Sequence, residues 1–404
     1  MATARALLVR AAVSIYAAGS ICAATAVIAR APSAATATTA AAPAAPTPTT
    51  EQSPPPLTRA DVTSNIAEIR KIASENGIDE LRAVPIGGIQ QWLSIRGRDR
   101  RNPILLFIHG GPASPEMATS WIYQDGWEDY FTVVQWDQRG TGKTYNANDP
   151  TVVGPTISVA RMESDAEEVV QYLRTTYHQR KIFVLAHSWG TILGLELAEH
   201  HPEWLYAYIG MGQVISVHEN ERLNYAFALK SAEAAGNQQA LTQLRSIAPY
   251  PEADGSLPIP KVMVSRNWST YFGGFARGHQ NQDYLANAKH WSPDYTDADL
   301  ASAGPSQALS FPHLAAELKS VDLTKITELH CPVVLFLGKY DENVPSTLAA
   351  QWFEHLKAPS KRLVWFENSA HMMHLEEPGR VLVHLVEDVR PLAGKDSAGS
   401  APRN

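Results

Sequence analysis

Short, uniformly apolar runs alternate with amphipathic stretches along most of the chain. Residues 104–108 (Ile-Leu-Leu-Phe-Ile) and 132–136 (Thr-Val-Val-Gln-Trp) read as buried strands, as do 182–185, 206–211, 333–337 and 363–366. Such runs are too short for helices and are bounded by turn residues. Between them, 162–177 and 189–200 repeat apolar residues at helical spacing. Strands that alternate with helices predict an α/β fold, a mostly parallel sheet with helices on both faces. The alternation lapses over 213–323, where helical patterns and loops rich in Pro, Gly and Asn replace the strands. That stretch predicts a helical lid inserted between two sheet strands, with the core built from 58–212 and 324–392.

The ends of the chain follow other rules. Within residues 1–30, Arg5 and Arg10 precede a charge-free run over 11–29, and small residues follow at 29–31 and 33–35. This pattern predicts an export signal, hence a periplasmic or secreted protein. The same run is nearly long enough to span a bilayer, so an uncleaved membrane tether is the alternative. Residues 31–57 are almost entirely Ala, Pro, Thr and Ser and read as a disordered linker, as does the tail over 393–404.

Composition narrows the function. Of the 404 residues, 45% are hydrophobic, enough for a sizeable core. The net charge is −7, and the first 57 residues carry only Arg5, Arg10, Arg30 and Glu51, which leaves about −9 on the rest. A nucleic-acid partner needs clustered Lys and Arg and is not expected; an acidic surface suits a small substrate that bears a positive charge. Of two cysteines, Cys22 falls in the export segment and Cys331 precedes Pro332 at the start of an apolar run. Cys331 reads as a buried free thiol.

The chemistry lies at strand ends. Ala186-His187-Ser188-Trp189-Gly190 follows a strand and opens a helix. This is the G-x-S-x-G nucleophile elbow with alanine in the first glycine position, which predicts the α/β-hydrolase fold with Ser188 as nucleophile. A serine hydroxyl needs a base, and in this fold the acid and the histidine follow the late strands in that order. Asp341 follows the strand at 333–337, and His371 follows the strand at 363–366. Asp341 would orient the imidazole of His371, which would shuttle the proton; Glu342 is the alternative acid. His109-Gly110-Gly111-Pro112 follows the strand at 104–108. The N–H groups of Gly111 and Trp189 are the candidate oxyanion donors.

Three other patterns point elsewhere and are set aside. Gly140-Thr141-Gly142-Lys143-Thr144 imitates a phosphate loop, but Asp137 stands where another glycine is required. His371-x-x-His374 imitates a metal pair without a third ligand at a metal-site spacing. His200-His201-Pro202 reads as a helix stop. Neither a metal nor an organic cofactor is expected.

Taken together, His109-Gly110-Gly111-Pro112, Asp137-Gln138-Arg139-Gly140-Thr141-Gly142, the Ser188 elbow, Gly338-Lys339-Tyr340-Asp341 and Ala370-His371 resemble the prolyl iminopeptidase family over about residues 80–392. The resemblance implies a cofactor-free aminopeptidase acting on short peptides, with lid glutamates that bind the substrate's amino group. Glu221 fits the first such position, with Glu219 beside it. The chain departs from the pattern over 256–282, which contains no Asp or Glu where a second lid glutamate is expected. An esterase or amidase with the same triad is the alternative, and a non-catalytic binding protein on this fold is the third reading.

Overall fold

The structure, a computed structural model, describes residues 56–394. The expected export segment, the linker up to residue 55 and the tail from 395 lie outside the described residues. Among the described residues no helix is long and apolar enough to cross a membrane.

Eight strands form one sheet: β1 (Ile78–Ile86), β2 (Ile89–Gly97), β3 (Ile104–Ile108), β4 (Thr132–Asp137), β5 (Ile182–His187), β6 (Leu205–Met211), β7 (Val333–Gly338) and β8 (Lys361–Phe366). Their spatial order is β1-β2-β4-β3-β5-β6-β7-β8. The pairings from β4 through β8 are parallel, whereas β1–β2 and β2–β4 are antiparallel. β3, β4, β5 and β7 are buried along their whole length, which is why they read as unbroken apolar runs. The six predicted strands are present with ends shifted by a residue or two.

The antiparallel hairpin β1–β2 is the part the apolar runs did not reveal. Strand β1 sits at the sheet edge, carries Pro85 and alternates exposed with buried residues. Edge strands tolerate both features, and both dilute an apolar signal. The turn itself, Gly87-Gly88 with both φ positive, was the available clue.

Helices Val159–Thr176 and Gly190–His200 pack on one face of the sheet within the larger apolar cluster. Phe107, Trp127, Phe131, Phe183, Phe336 and Phe366 fill a second cluster on the other face. Cys331 is a buried free thiol whose pKa burial pushes up to about 12. Between β6 and β7 the chain is helical, including Val217–Ala234, Gln238–Ser246, Ile259–Tyr271, Asp283–His290 and Ala303–Leu318. The two necks of this insertion pair with each other: Val217 N donates to Val321 O at 3.2 Å and Leu323 N to Ile215 O at 2.7 Å. The first three of these helices share a small apolar cluster around Ala228, Ala232 and Leu244, separate from the sheet clusters.

Candidate active site

Strand β5 ends at His187 and the next helix starts at Gly190, so Ser188 sits on the sharp turn between them. Its φ is +55°. A non-glycine residue held there costs about 1–3 kcal/mol and persists only where its surroundings fix it. Ser188 N donates to Met211 O at 3.0 Å, and Ser188 O accepts from Thr191 Oγ1 at 2.6 Å. Gly190 lies so close to the end of β3 that a Cβ there would stand 2.2 Å from Ile108 O. The alanine at the elbow's first position has its own compensation. A Cβ on Gly194, one turn into the helix, would meet the Ala186 methyl at 2.8 Å, so the missing side chain at 194 makes room for the one at 186.

The loops after β7 and β8 bring Asp341 and His371 together. His371 Nδ1 lies 2.8 Å from Asp341 Oδ2, both side chains buried, and Val344 N donates to Asp341 Oδ1 at 2.8 Å. With Nδ1–H given to the carboxylate, Nε2 is the nitrogen left to accept a proton. Burial pulls the His371 pKa below 6.5 against the pull of Asp341, and the neighbouring His187 and Arg266 act in the same sense as burial. Asp341, not Glu342, takes the place beside the imidazole. Glu342 is half-buried, forms no ion pair among the described residues, and has its pKa pushed up to about 7 by burial and by Asp341.

The loop after β3 faces the elbow. A Cβ on Gly110 would stand 3.0 Å from Ser188 Cβ. Among the described residues, neither Gly111 N nor Trp189 N donates to a protein acceptor. Gln138 ties the two loops that carry these groups: its Nε2 donates to His109 O at 2.8 Å, and its Oε1 accepts from Trp189 Nε1 at 3.1 Å. His109 Nδ1 bonds the Gly110 carbonyl at 2.7 Å, and burial brings its pKa down to about 4, so the ring is neutral and structural.

Beneath these loops lies a cluster the sequence reading missed. His187 Nδ1 is 2.6 Å from Glu116 Oε1, and His187 Nε2 is 3.0 Å from the His371 carbonyl. Both ring nitrogens face acceptors, so both carry protons and the ring is an imidazolium. Burial opposes both charges of this pair, but Glu116 with the His371 carbonyl and Asp341 raises the His187 pKa, and His187 with His374 holds Glu116 well below its ordinary range. Glu116 Oε1 also accepts from Gly110 N at 3.4 Å, so one carboxylate joins the oxyanion loop to the elbow. His374 Nε2 approaches Glu116 Oε2 at 3.2 Å, at an angle too poor for a good hydrogen bond. The potential ligand group here is Glu116, His187 and His374; His371 is not part of it and bonds Asp341 instead. Three potential ligand atoms lie within 4.8 Å of one another. The short Glu116–His187 contact already uses two of them in a hydrogen-bonded ion pair. The clue in the sequence was His187, beside Ser188, and His374, three residues after His371, each of which needs a polar partner once buried.

The Asp137-Gln138-Arg139 segment is scaffolding. Arg139 bonds both oxygens of Asp165, at 2.7 and 3.0 Å, and also the Gly87 carbonyl. Asp137 accepts from Lys143 N at 2.7 Å and from the Tyr295 hydroxyl on the lid, while burial pushes its pKa up to about 7. Lys143 Nζ pairs with Asp299 at 2.8 Å. A phosphate-loop lysine would be free for its ligand, whereas this one is neutralised.

The lid carboxylates Glu221 and Glu219 both hold partners in the structure. Glu221 is buried, but its charge is committed: Arg266 Nε donates to Oε1 at 3.0 Å, Arg266 Nη2 joins it, and Tyr250 OH donates to Oε2 at 2.5 Å. Arg266 comes from the stretch over 256–282 that lacks acidic residues, and it also bonds Asn343, two residues beyond Asp341. Glu221 therefore stands near the triad loop as half of an ion pair. Glu219 is half-exposed and pairs with Arg222 at 2.8 Å on its own helix.

Comparison with known proteins places the fold in a family. The model of the alpha/beta hydrolase family matches residues 105–385. The probable aminopeptidase YbaC of Bacillus subtilis is 31% identical over 310 residues, covering 76% of this chain and 95% of that protein. The proline iminopeptidase of Heyndrickxia coagulans is 24% identical over 287 residues, covering 69% of this chain and 87% of that protein. Among solved structures, the proline iminopeptidase of Mycobacterium smegmatis superposes with a TM-score of 0.53 at 19% identity, covering 78% of this chain and 100% of that one. That last likeness supports the fold. The chain is a hydrolase that belongs to the α/β-hydrolase family and stands with its proline iminopeptidase-like members.

Proposed function

We propose that the protein is a serine aminopeptidase of the prolyl iminopeptidase type, with Ser188, His371 and Asp341 as its triad. The observation that carries this reading is the buried 2.8 Å Asp341–His371 pair beside the strained Ser188 turn. The aminopeptidase name of the relative matched over nearly its whole length supports the choice of substrate. In this mechanism Ser188 Oγ attacks the scissile carbonyl while His371 Nε2 takes its proton. Asp341 holds the imidazole's tautomer and stabilises its positive form. The oxyanion is met by the N–H groups of Gly111 and Trp189. Collapse of the tetrahedral species breaks the C–N bond, and His371 returns the proton to the departing amine. Water, activated by the same imidazole, then releases the acyl group.

Recognition of the substrate's amino group falls to Glu342. Glu221 is neutralised by Arg266, and Glu219 is engaged with Arg222. Glu342 is half-buried at the lid–core junction, its backbone N–H bonded to Gly274 O at 3.0 Å, and it lacks an ion-pair partner among the described residues. An arriving ammonium group would complete it.

A second reading, an esterase or amidase without amine selection, is favoured by the Glu221–Arg266 pair alone. A panel of amino-acid arylamides, proline and alanine first, run beside a short-chain ester decides between them. The aminopeptidase reading expects arylamide cleavage that is lost when the amino group is acetylated. Ester turnover with no arylamide cleavage overturns it. The Arg5–Arg10 segment and the apolar run over 11–29 support export of this activity, which sequencing the N-terminus of the mature chain tests.

A further inference from the structure

The neighbourhood of the oxyanion loop holds a cation that the triad does not use. Lys289 lies in the last turn of the lid helix Asp283–His290 and is half-buried. That helix sits against the segment following the oxyanion loop, where Trp121 Nε1 donates to Ala288 O at 3.2 Å. Lys289 Nζ points to Ser114 Oγ at 3.4 Å, a long contact with a neutral hydroxyl. No carboxylate lies within ion-pair distance of it among the described residues. The other buried or half-buried cations near the lid are matched: Lys143 with Asp299, Arg266 with Glu221, and Arg70 and Arg96 with Glu128. Burial pulls the Lys289 pKa down, and the more distant Glu116 and Asp137 only partly counter it.

The position of this ammonium group matters. Ser114 packs directly on Gly111: a Cβ there would stand 3.3 Å from Ser114 Cβ and 2.7 Å from Ser114 N. Gly110, one residue earlier, faces Ser188. The ammonium therefore stands one side chain away from Gly111, the proposed oxyanion donor. A desolvated cation with one weak neutral partner is unfavourable by itself and is offset when an anion arrives. In a dipeptide, the terminal carboxylate is attached to the α-carbon next to the leaving nitrogen, so it lies close to the scissile carbonyl.

We infer that Lys289 is a specificity-determining residue that binds a substrate carboxylate on the leaving-group side, directing the enzyme to dipeptides with a free C-terminus. The choice of peptide rests on the aminopeptidase reading; the preference for an anion does not. With Glu342 for the amino group, the site would then read both ends of a zwitterionic dipeptide.

The test compares kcat/KM for matched pairs that differ only in charge, near neutral pH. One pair is prolyl-alanine and prolyl-alaninamide. The other is the acetate ester of 4-hydroxybenzoate and the acetate ester of 4-hydroxybenzamide. The wild-type enzyme should prefer the carboxylate member by roughly tenfold to a hundredfold, the range of one charge-assisted hydrogen bond. Lys289→Met should bring that ratio close to one, and Lys289→Arg should keep most of it. A thermal melt of each variant separates loss of preference from loss of fold. Equal rates for both members in the wild type, or a ratio unchanged in Lys289→Met, overturn the proposal. If neither peptide is cleaved but the ester pair shows the preference and loses it in Lys289→Met, the aminopeptidase reading fails and the anion site stands.

Discussion

The floor of the site and its lid solve the same electrostatic problem in different ways. In the floor the buried groups around the triad are held by close partners: Glu116 by the His187 imidazolium, Arg139 by Asp165, and Asp341 by a hydrogen bond with His371. In the lid some charges are matched and others are not. Glu221 is bound to Arg266, while Lys289 and Glu342 face the junction without an ion-pair partner among the described residues. Matched buried pairs fix geometry, and the machinery of bond breaking needs fixed geometry. Unmatched charges at a cleft cost stability and are retained where a ligand completes them. On the proposed reading, the floor sets how the protein cleaves and the lid sets what it cleaves.

The largest break in this comparison comes from the floor. Ser188→Ala should reduce turnover on the order of a millionfold, with the melting temperature maintained or raised because the hydroxyl has no structural duty. A folded variant that keeps a substantial fraction of activity removes Ser188 from the mechanism.

The lid gives the next effect, and it separates the two kinds of charge. Glu221→Gln leaves Arg266 without its counter-ion. Truncating one partner of a buried pair costs about 3–5 kcal/mol. Arg266 keeps 26% of its side-chain exposure, so the loss should be on the order of 2–3 kcal/mol. Arylamide and ester rates should then fall together, alongside the melting temperature. Glu342→Gln should instead slow the arylamide by roughly tenfold or more and spare the ester, since about 1.4 kcal/mol separates each factor of ten. A selective arylamide loss in Glu221→Gln, with none in Glu342→Gln, would return amine recognition to Glu221.

The pH profile sharpens the same division. Protonated His371 cannot act as base, and its pKa in the fold lies below 6.5. The acid limb of kcat/KM for a neutral ester should therefore have its midpoint below 6.5, with activity retained at higher pH. An arylamide should show a further rise near 7 as Glu342 loses its proton, because only the carboxylate attracts an ammonium group. A single ester limb above 6.5 would contradict the burial assigned to His371.

The smallest effect is at the contact between floor and lid. Tyr295→Phe removes the hydroxyl donated to Asp137, whose Oδ1 already lacks a partner. The melt should register a loss of about 1–2 kcal/mol with triad chemistry intact. No change in stability would mean that this contact does not anchor the lid.

How much of this was legible in the sequence follows from the range of the interactions. Ser188, Asp341, His371 and Gly111 each stand within five residues after a strand, and local pattern is enough to find them. The Gly194 vacancy that admits Ala186 is one helical turn away and could be guessed only once the elbow was known. Glu116 was not found, because its partner His187 is 71 residues distant. Arg266 is illegible for the same reason: the stretch over 256–282 shows only missing carboxylates, while Arg266 reaches back 45 residues to Glu221. The hairpin β1–β2 was missed because an edge strand with alternating exposure carries no apolar run. Lid pairings are set by tertiary contacts between helices, and no period or motif encodes them.

Ser188 is proposed as the nucleophile, activated by the His371–Asp341 pair. Treating the purified protein with a serine-reactive phosphonate and mapping the adduct by peptide mass spectrometry tests that role most directly. The account predicts one adduct, on Ser188, formed at a rate that follows the His371 ionisation and absent from Ser188→Ala. It also predicts labelling slowed by orders of magnitude in His371→Ala. An adduct on another residue, or undiminished labelling of Ser188→Ala, would contradict it.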